Sequence, residues 1–206
     1  MTEDEEAAAR ARDVDRLVAF SDGVYAIAIT LLVLSISVPK GRDDQLGQEL
    51  RDLTPQLLSY GLSFAVIGRY WVAHHRMFRS LQRVDGTLLW INLALLGFVA
   101  LLPFPTQVLG NYGDTTIGTI VYAASLCVVG SLSVLVGWYI VHAGLTAPTA
   151  SIEMRRRYAH GLIVVVVFGL SIPIAVASPE VAKYSWLLII PLGFLARRWF
   201  GSDDDE

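Results

Sequence analysis

Charge and cysteine are what this 206-residue chain has least of. One cysteine, Cys127, cannot close an intrachain disulfide, so a disulfide-stapled secreted scaffold is excluded. Inside its apolar stretch the thiol reads as a small packing group. Charged residues make up only 17% of the chain, where an average soluble domain has about 25%. A water-facing surface needs that charge, so a cytosolic enzyme and a disordered chain are both poor fits. No domain is strongly basic, which leaves nucleic-acid binding without support. The start carries Glu3, Asp4, Glu5 and Glu6 in place of a basic n-region, so no cleavable signal peptide is expected.

Apolar residues fill the gap, at 54% and a mean hydropathy of +0.52. They fall in blocks of about 20, the length that crosses a hydrocarbon core of about 30 Å. The chain therefore reads as a polytopic membrane protein. Six spans are expected: Leu17 to Val38, stopped by Pro39-Lys40-Gly41; Pro55 to Phe78; Thr87 to Val108, containing Pro103 and Pro105; Thr116 to His142; Tyr158 to Ala177, with Pro173 near its end; and Tyr184 to Phe200. Lipid offers backbone groups no partners, so the spans must be helices, and the fold class is all-α. No alternating strands of a barrel appear. The expected organisation is an acidic N-terminal tail (residues 1–13), one six-helix membrane domain (14–200) and an acidic C-terminal tail (201–206), both tails solvated.

Lysine and arginine set the orientation. With the N-terminus inside, the inner segments hold eleven basic residues: Arg10, Arg12, Arg16, Arg76, Arg79, Arg83, Arg155, Arg156, Arg157, Arg197 and Arg198. The outer segments hold four, Lys40, Arg42, Arg51 and Lys183. Both ends are therefore expected in the cytoplasm, and the protein in a cell membrane. Arg69 falls within the second span.

The first span is the most patterned. On a helical wheel Phe20, Gly23, Thr30, Leu31, Leu34 and Val38 lie within roughly 60° of Ile27, while Ser21, Asp22 and Tyr25 lie opposite. A carboxylate inside a membrane is costly without a partner. The second span offers Trp71, His74 and His75 at similar depth, and the third offers Trp90 and Asn92. One account is an interhelical hydrogen-bond cluster that fixes packing. The other is a proton- or ion-sensing cluster. Ser21, Asp22 and His74 do not read as a hydrolytic triad, because no G-x-S-x-G elbow is present. His74 and His75 are adjacent, not the i, i+4 pair of a zinc helix, so no metal site is assigned. The T-V-G-Y-G potassium filter is absent.

Arg16-Leu-Val-Ala-Phe20-Ser21-Asp22 resembles the R-x-x-x-F-S-D motif of the prokaryotic branch of the potassium channel family named for the endolysosomal channel transmembrane protein 175. Trp71-Val-Ala-His74-His75 resembles that family's W-x-x-H-H segment. Trp90-Ile-Asn92 and Leu102-Pro103-Phe104-Pro105-Thr106 resemble its third helix. The likeness covers about residues 16 to 110, and Arg69 has no place in the pattern. It implies a homotetramer in the lipid bilayer, with the first helix lining the pore. Ile27 would form the narrow apolar ring, Thr30 a hydroxyl ring that sets selectivity, and Leu34 the outer apolar ring, with Leu31 on the same face. Arg16, Phe20, Ser21, Asp22, Trp71, His74, His75 and Asn92 would anchor that helix. No cofactor is implied beyond permeant potassium ions, and no enzyme activity. The expected function is a potassium-permeable cation channel closed by apolar rings. The alternative is a proton-coupled carrier or proton conductor using Asp22 and the His74/His75 cluster.

Overall fold

A hydroxyl and a carboxylate start the first helix. Thr2 Oγ1 accepts from the Glu5 N–H at 3.3 Å, and Glu5 accepts from the Thr2 N–H at 2.9 Å. This capping box satisfies two donors that a helix start leaves open. Ala7, Ala8 and Ala9 follow, residues of the highest helix propensity. The acidic N-terminal stretch is therefore helical, and helix α1 runs Glu3–Leu31. The computed structural model describes residues 2–37, 46–189 and 191–193. Val38, the Pro39-Lys40-Gly41 stop, Arg42, the end of the expected sixth span with Arg197 and Arg198, and the 201–206 tail lie outside the described residues.

Helix α1 does not reach Ser37 as one continuous α-helix. It tightens to a 3-10 turn over Leu32–Ser35, after which Ile36 is extended. Side chains three apart eclipse one another in 3-10 geometry. Leu34 is thereby carried round toward Leu31, away from its α-helical wheel position. The two share one groove with Pro103 and Phe104.

A short helix α2 (Leu46–Asp52) precedes α3 (Thr54–Phe78). The third expected span is broken into α4 (Gly86–Leu101) and α5 (Pro103–Tyr112). Pro103 and Pro105 bring no backbone donor to the ladder. Around the break the Leu102 N–H bonds Val99 O at 3.1 Å, and Leu102 O accepts from the Thr106 N–H at 3.1 Å. Then follow α6 (Thr116–His142), α7 (Pro148–Ala177), α8 (Pro179–Ser185) and a 3-10 turn at Trp186–Leu188.

Among the described residues, three helical stretches are long and apolar enough to cross a membrane: Asp4–Ser35, Gly86–Tyr112 and Thr116–His142. That is fewer than the six spans expected. Helix α3 has the length but interrupts its apolar surface with Arg69, His74 and His75. The apolar part of α7, Gly161–Ala177, is shorter.

Helix α1 packs on α3 and α4, α3 on α5, α4 and α5 on α6, α6 on α7, and α7 on α8. Tyr25, Ile67, Phe78, Leu95, Tyr122 and Phe168 form the fully buried core. Cys127 sits half-buried between α6 and α7, with its sulfur 3.7 Å from Val165 O.

One end of the bundle is clasped by paired loops. Gly144, at φ 60°, turns the chain out of α6. Leu145 N–H reaches back to Ile140 O at 3.0 Å and Gly144 N–H to Val141 O at 3.3 Å. These close the helix as a Schellman motif. Leu81 pairs with Thr146, Gln82 N–H bonds Leu145 O at 2.9 Å, and Thr146 Oγ1 donates to Ser80 O at 2.7 Å. Asp85 caps α4 through the Leu88 N–H at 2.8 Å and accepts from the Tyr139 hydroxyl at 2.8 Å. Asp85→Ala removes both bonds and is expected to destabilise the protein by about 2 kcal/mol. Tyr139→Phe should cost about 1 kcal/mol, because the cap survives. Denaturant unfolding of the detergent-solubilised protein reads both, and equal losses would show that the cap contributes nothing.

Candidate functional site

The motif residues of α1, α3 and α4 meet in two adjoining hydrogen-bond chains. The inner chain is fully buried. Asn92 Nδ2 donates to Ser21 Oγ at 3.1 Å, and Ser21 Oγ donates to Leu17 O at 2.8 Å. Asn92 Oδ1 lies 2.8 Å from His74 Nε2. The directions follow from proton count. Ser21 has one proton, given to Leu17, so it can only accept from Asn92. The Asn92 amide nitrogen then faces Ser21, its oxygen faces His74, and His74 must carry its proton on Nε2. His74 stacks on Phe78 at 3.9 Å between ring centroids and tilts against Tyr25 at 5.4 Å. The Tyr25 hydroxyl is buried with no hydrogen-bond partner among the described residues.

The outer chain lies at the edge of the same contact. Trp71 Nε1 donates to Asp22 Oδ1 at 2.8 Å. His75 Nδ1 stands 3.3 Å from Asp22 Oδ2, off the hydrogen-bond direction. Both side chains are about a third exposed, at 31% and 33%. The two histidines are therefore placed differently: His74 joins α3 to α4 and through Asn92 to α1, while Trp71 makes the hydrogen bond from α3 to Asp22 and His75 lies beside that carboxylate without bonding it.

The other face of α1 is uncovered by its own chain. Phe20 is 54% exposed, Ile27 60%, Leu31 40% and Leu34 71%. Arg16 and Thr30 are exposed as well. Thr30 Oγ1 donates back to Ile27 O at 2.9 Å, which leaves its oxygen free to accept. Ser21, Asp22, Trp71, His74, His75 and Asn92 are thus brought together. Ile27, Thr30, Leu31 and Leu34 stand apart from them on the opposite side. Trp90, 74% exposed, does not join the cluster.

A second buried polar group was not anticipated from the sequence. Thr106 Oγ1 lies 2.8 Å from Ser63 Oγ and 2.8 Å from Leu102 O, and Ser63 Oγ lies 2.9 Å from the Tyr122 hydroxyl. It ties α3, α5 and α6 beside the proline break. Nothing but the isolated hydroxyls in apolar runs signals it.

Asn92→Leu leaves the His74 donor and the Ser21 acceptor without partners. The expected loss is about 2 kcal/mol in an unfolding measurement. His74→Phe removes the donor instead, and the double variant should lose less than the sum of the two single losses; additive losses would show that the His74–Asn92 bond contributes nothing.

The comparisons with known proteins fit this arrangement. A family model described as "Endosomal/lysosomal potassium channel TMEM175" matches residues 16–103, the stretch that contains the Ser21, Asp22, His74, His75 and Asn92 network. A Streptomyces collinus protein named a potassium channel is 35% identical over 191 residues, 87% of this chain and 91% of its own length. A Chryseobacterium potassium channel is 43% identical over 96 residues, and the match spans 48% of that protein. The crystal structure of a lysosomal potassium-selective channel TMEM175 homolog from Chamaesiphon minutus superposes with a TM-score of 0.78 at 27% identity. It covers 93% of this chain and all of that one. The family is one of channels, not enzymes, and this chain, a multi-pass all-α membrane protein, belongs to the TMEM175 family.

Proposed function

We propose that the chain is one subunit of a homotetrameric, potassium-permeable channel of the cell membrane, with six spans and both termini in the cytoplasm. The first helix lines the pore. The observation that carries this reading is the two-faced character of α1. Its polar motif face is locked onto α3 and α4, while Ile27, Leu31 and Leu34 are left uncovered beside an exposed threonine. Four copies of that face around an axis would enclose a path for monovalent cations. Rings of branched side chains exclude water from such a path and close it by dewetting, and Thr30 hydroxyls replace part of an ion's hydration shell. In this scheme Ile27 forms the narrow gate, Leu31 and Leu34 continue it outward, and Asp22 anchors the helix.

A second reading rests on the 3.3 Å approach of His75 to Asp22, two titratable groups that are both partly exposed. Such a pair could relay protons, and a proton conductor would use it.

Ile27→Ala shortens the gate side chain and should raise potassium current in planar bilayers several-fold over wild type. No potassium current in either protein would sink the channel reading. Thr30→Val keeps the shape and removes the hydroxyl, so the potassium-to-sodium permeability ratio should fall. An unchanged ratio takes Thr30 out of the mechanism. A reversal potential that follows the proton gradient, and is abolished by Asp22→Asn, would favour the second reading.

A further inference from the structure

At the end of the bundle away from the motif, the first helix stops in a particular way. The last bond of its 3-10 turn runs from Ile36 N–H to Val33 O at 3.1 Å. The next donor, Ser37 N–H, has no helical partner and bonds Gln56 Oε1 on α3 at 2.8 Å. Gln56 Nε2 in turn donates to Asn111 Oδ1 on α5 at 3.0 Å, and Asn111 Nδ2 donates to Gln107 O at 3.0 Å. Proton count fixes every direction. The Asn111 amide nitrogen is committed to Gln107, so its oxygen faces Gln56. The Gln56 nitrogen must then face Asn111, which turns its oxygen to Ser37.

A second observation places α5 hard against the same residue. A Cβ on Gly110 would stand 3.2 Å from Gln56 Cα and 3.3 Å from its Cγ. A side chain there would press Gln56 away by a few tenths of an ångström, so α5 packs closely on α3 at this point. On its other side α5 meets the first helix. Leu31, Leu34, Pro103, Phe104 and Gln107 line a groove of about 260 Å³. Helix α5 thus has Gln56 on one flank and Leu34 on the other.

We propose that Gln56 is a positioning residue for permeation: its side-chain amide ties the 3-10 segment that carries Leu34 to α3 and α5, and so holds the outer apolar ring open. This rests on the pore reading of Leu34. The segment needs an external tie because a 3-10 turn has poorer hydrogen-bond geometry than the α-helix before it. Ile27 sits on that α-helix, whose opposite face is anchored by Tyr25 and Ala28, both buried. Loss of the tie therefore lets the four Leu34 side chains move toward the axis and leaves the Ile27 ring where it was.

The test is unitary potassium conductance of the purified full-length protein in planar bilayers. Gln56→Leu keeps bulk and loses both bonds, and conductance should fall about threefold or more. Asn111→Ala, at an exposed position, should lower it in the same direction, with the double variant no lower than Gln56→Leu alone. Gln56→Glu keeps the acceptor for Ser37 N–H and should recover most of the conductance. Leu34→Ala placed in the Gln56→Leu background should restore it, because the side chain that closes the path is gone. A merely structural Gln56 would give no such rescue. Wild-type conductance in Gln56→Leu and Asn111→Ala, or no relief by Leu34→Ala, overturns the proposal. If wild type itself passes no potassium, the pore reading fails first.

Discussion

A side-chain amide brings two donors and two acceptors into a medium that offers partners for neither. Asn92 answers this by bonding outward in two directions, to Ser21 on α1 and to His74 on α3. Much else in the structure follows from that one residue. The distance between three helices is fixed at hydrogen-bond length, the tautomer of His74 is set, and the face of α1 bearing Ser21 and Tyr25 is turned inward. Interhelical polar contacts in membranes contribute modestly each, about 0.6 kcal/mol on average. Their larger effect here is on orientation. The Ser21–Leu17 bond lies within α1 and survives any rotation of the helix, but rotation by one residue would carry Ser21 away from Asn92 and leave that amide donor without a partner.

That constraint explains why a helix rich in large apolar side chains leaves them uncovered. Phe20, Ile27 and Leu34 are each more than half exposed, although α1 packs along α3 and α4. In lipid an uncovered apolar face carries no hydrophobic penalty, so the hydrogen-bond chains decide which face of α1 turns inward. The uncovered stripe is thus a consequence of the motif, which gives a physical reason why an F-S-D sequence and an apolar stripe on the same helix belong together. On the proposed pore reading, the same bonds that fix the subunit also aim its gate.

The motif network was legible in the sequence because polar residues in apolar spans stand out and must find one another. The wheel separated Ser21 and Asp22 from Ile27, and the spans put His74 and Asn92 at matching depth. The different placement of His74 and His75 was not legible, since it depends on which face of α3 meets which helix. Three other features were hidden for different reasons. The 3-10 turn at Leu32–Ser35 has no local signature, because Leu, Val and Ser suit either helix. The Gln56 bond to Ser37 joins groups 19 residues apart across a loop. The hydroxyl trio of Ser63, Thr106 and Tyr122 uses residues common in any membrane helix. The acidic N-terminus read as a tail by charge alone, while its Thr2–Glu5 capping box makes it helix.

The two ends of the bundle are built on different principles. At the motif end, α1 is continuous, its bonds are buried, and the loops clasp one another through Gln82, Thr146 and Asp85. Removing any one contact leaves several others. At the far end, α1 tightens, α4 gives way to α5 at two prolines, and the contacts of Gln56 and Asn111 are open to solvent, where water competes for each bond. Helices hinge where the backbone ladder is interrupted, and both interruptions lie at the same level, facing each other across the Leu34 groove. Motion that alters the chain beyond Leu32 therefore needs less disruption of the core than motion at Ile27, which requires Tyr25 and Ala28 to leave their packed positions. The compliant part of this chain is accordingly the end away from the motif, between Val33 and Ser37 on one side and Leu102 and Asn111 on the other.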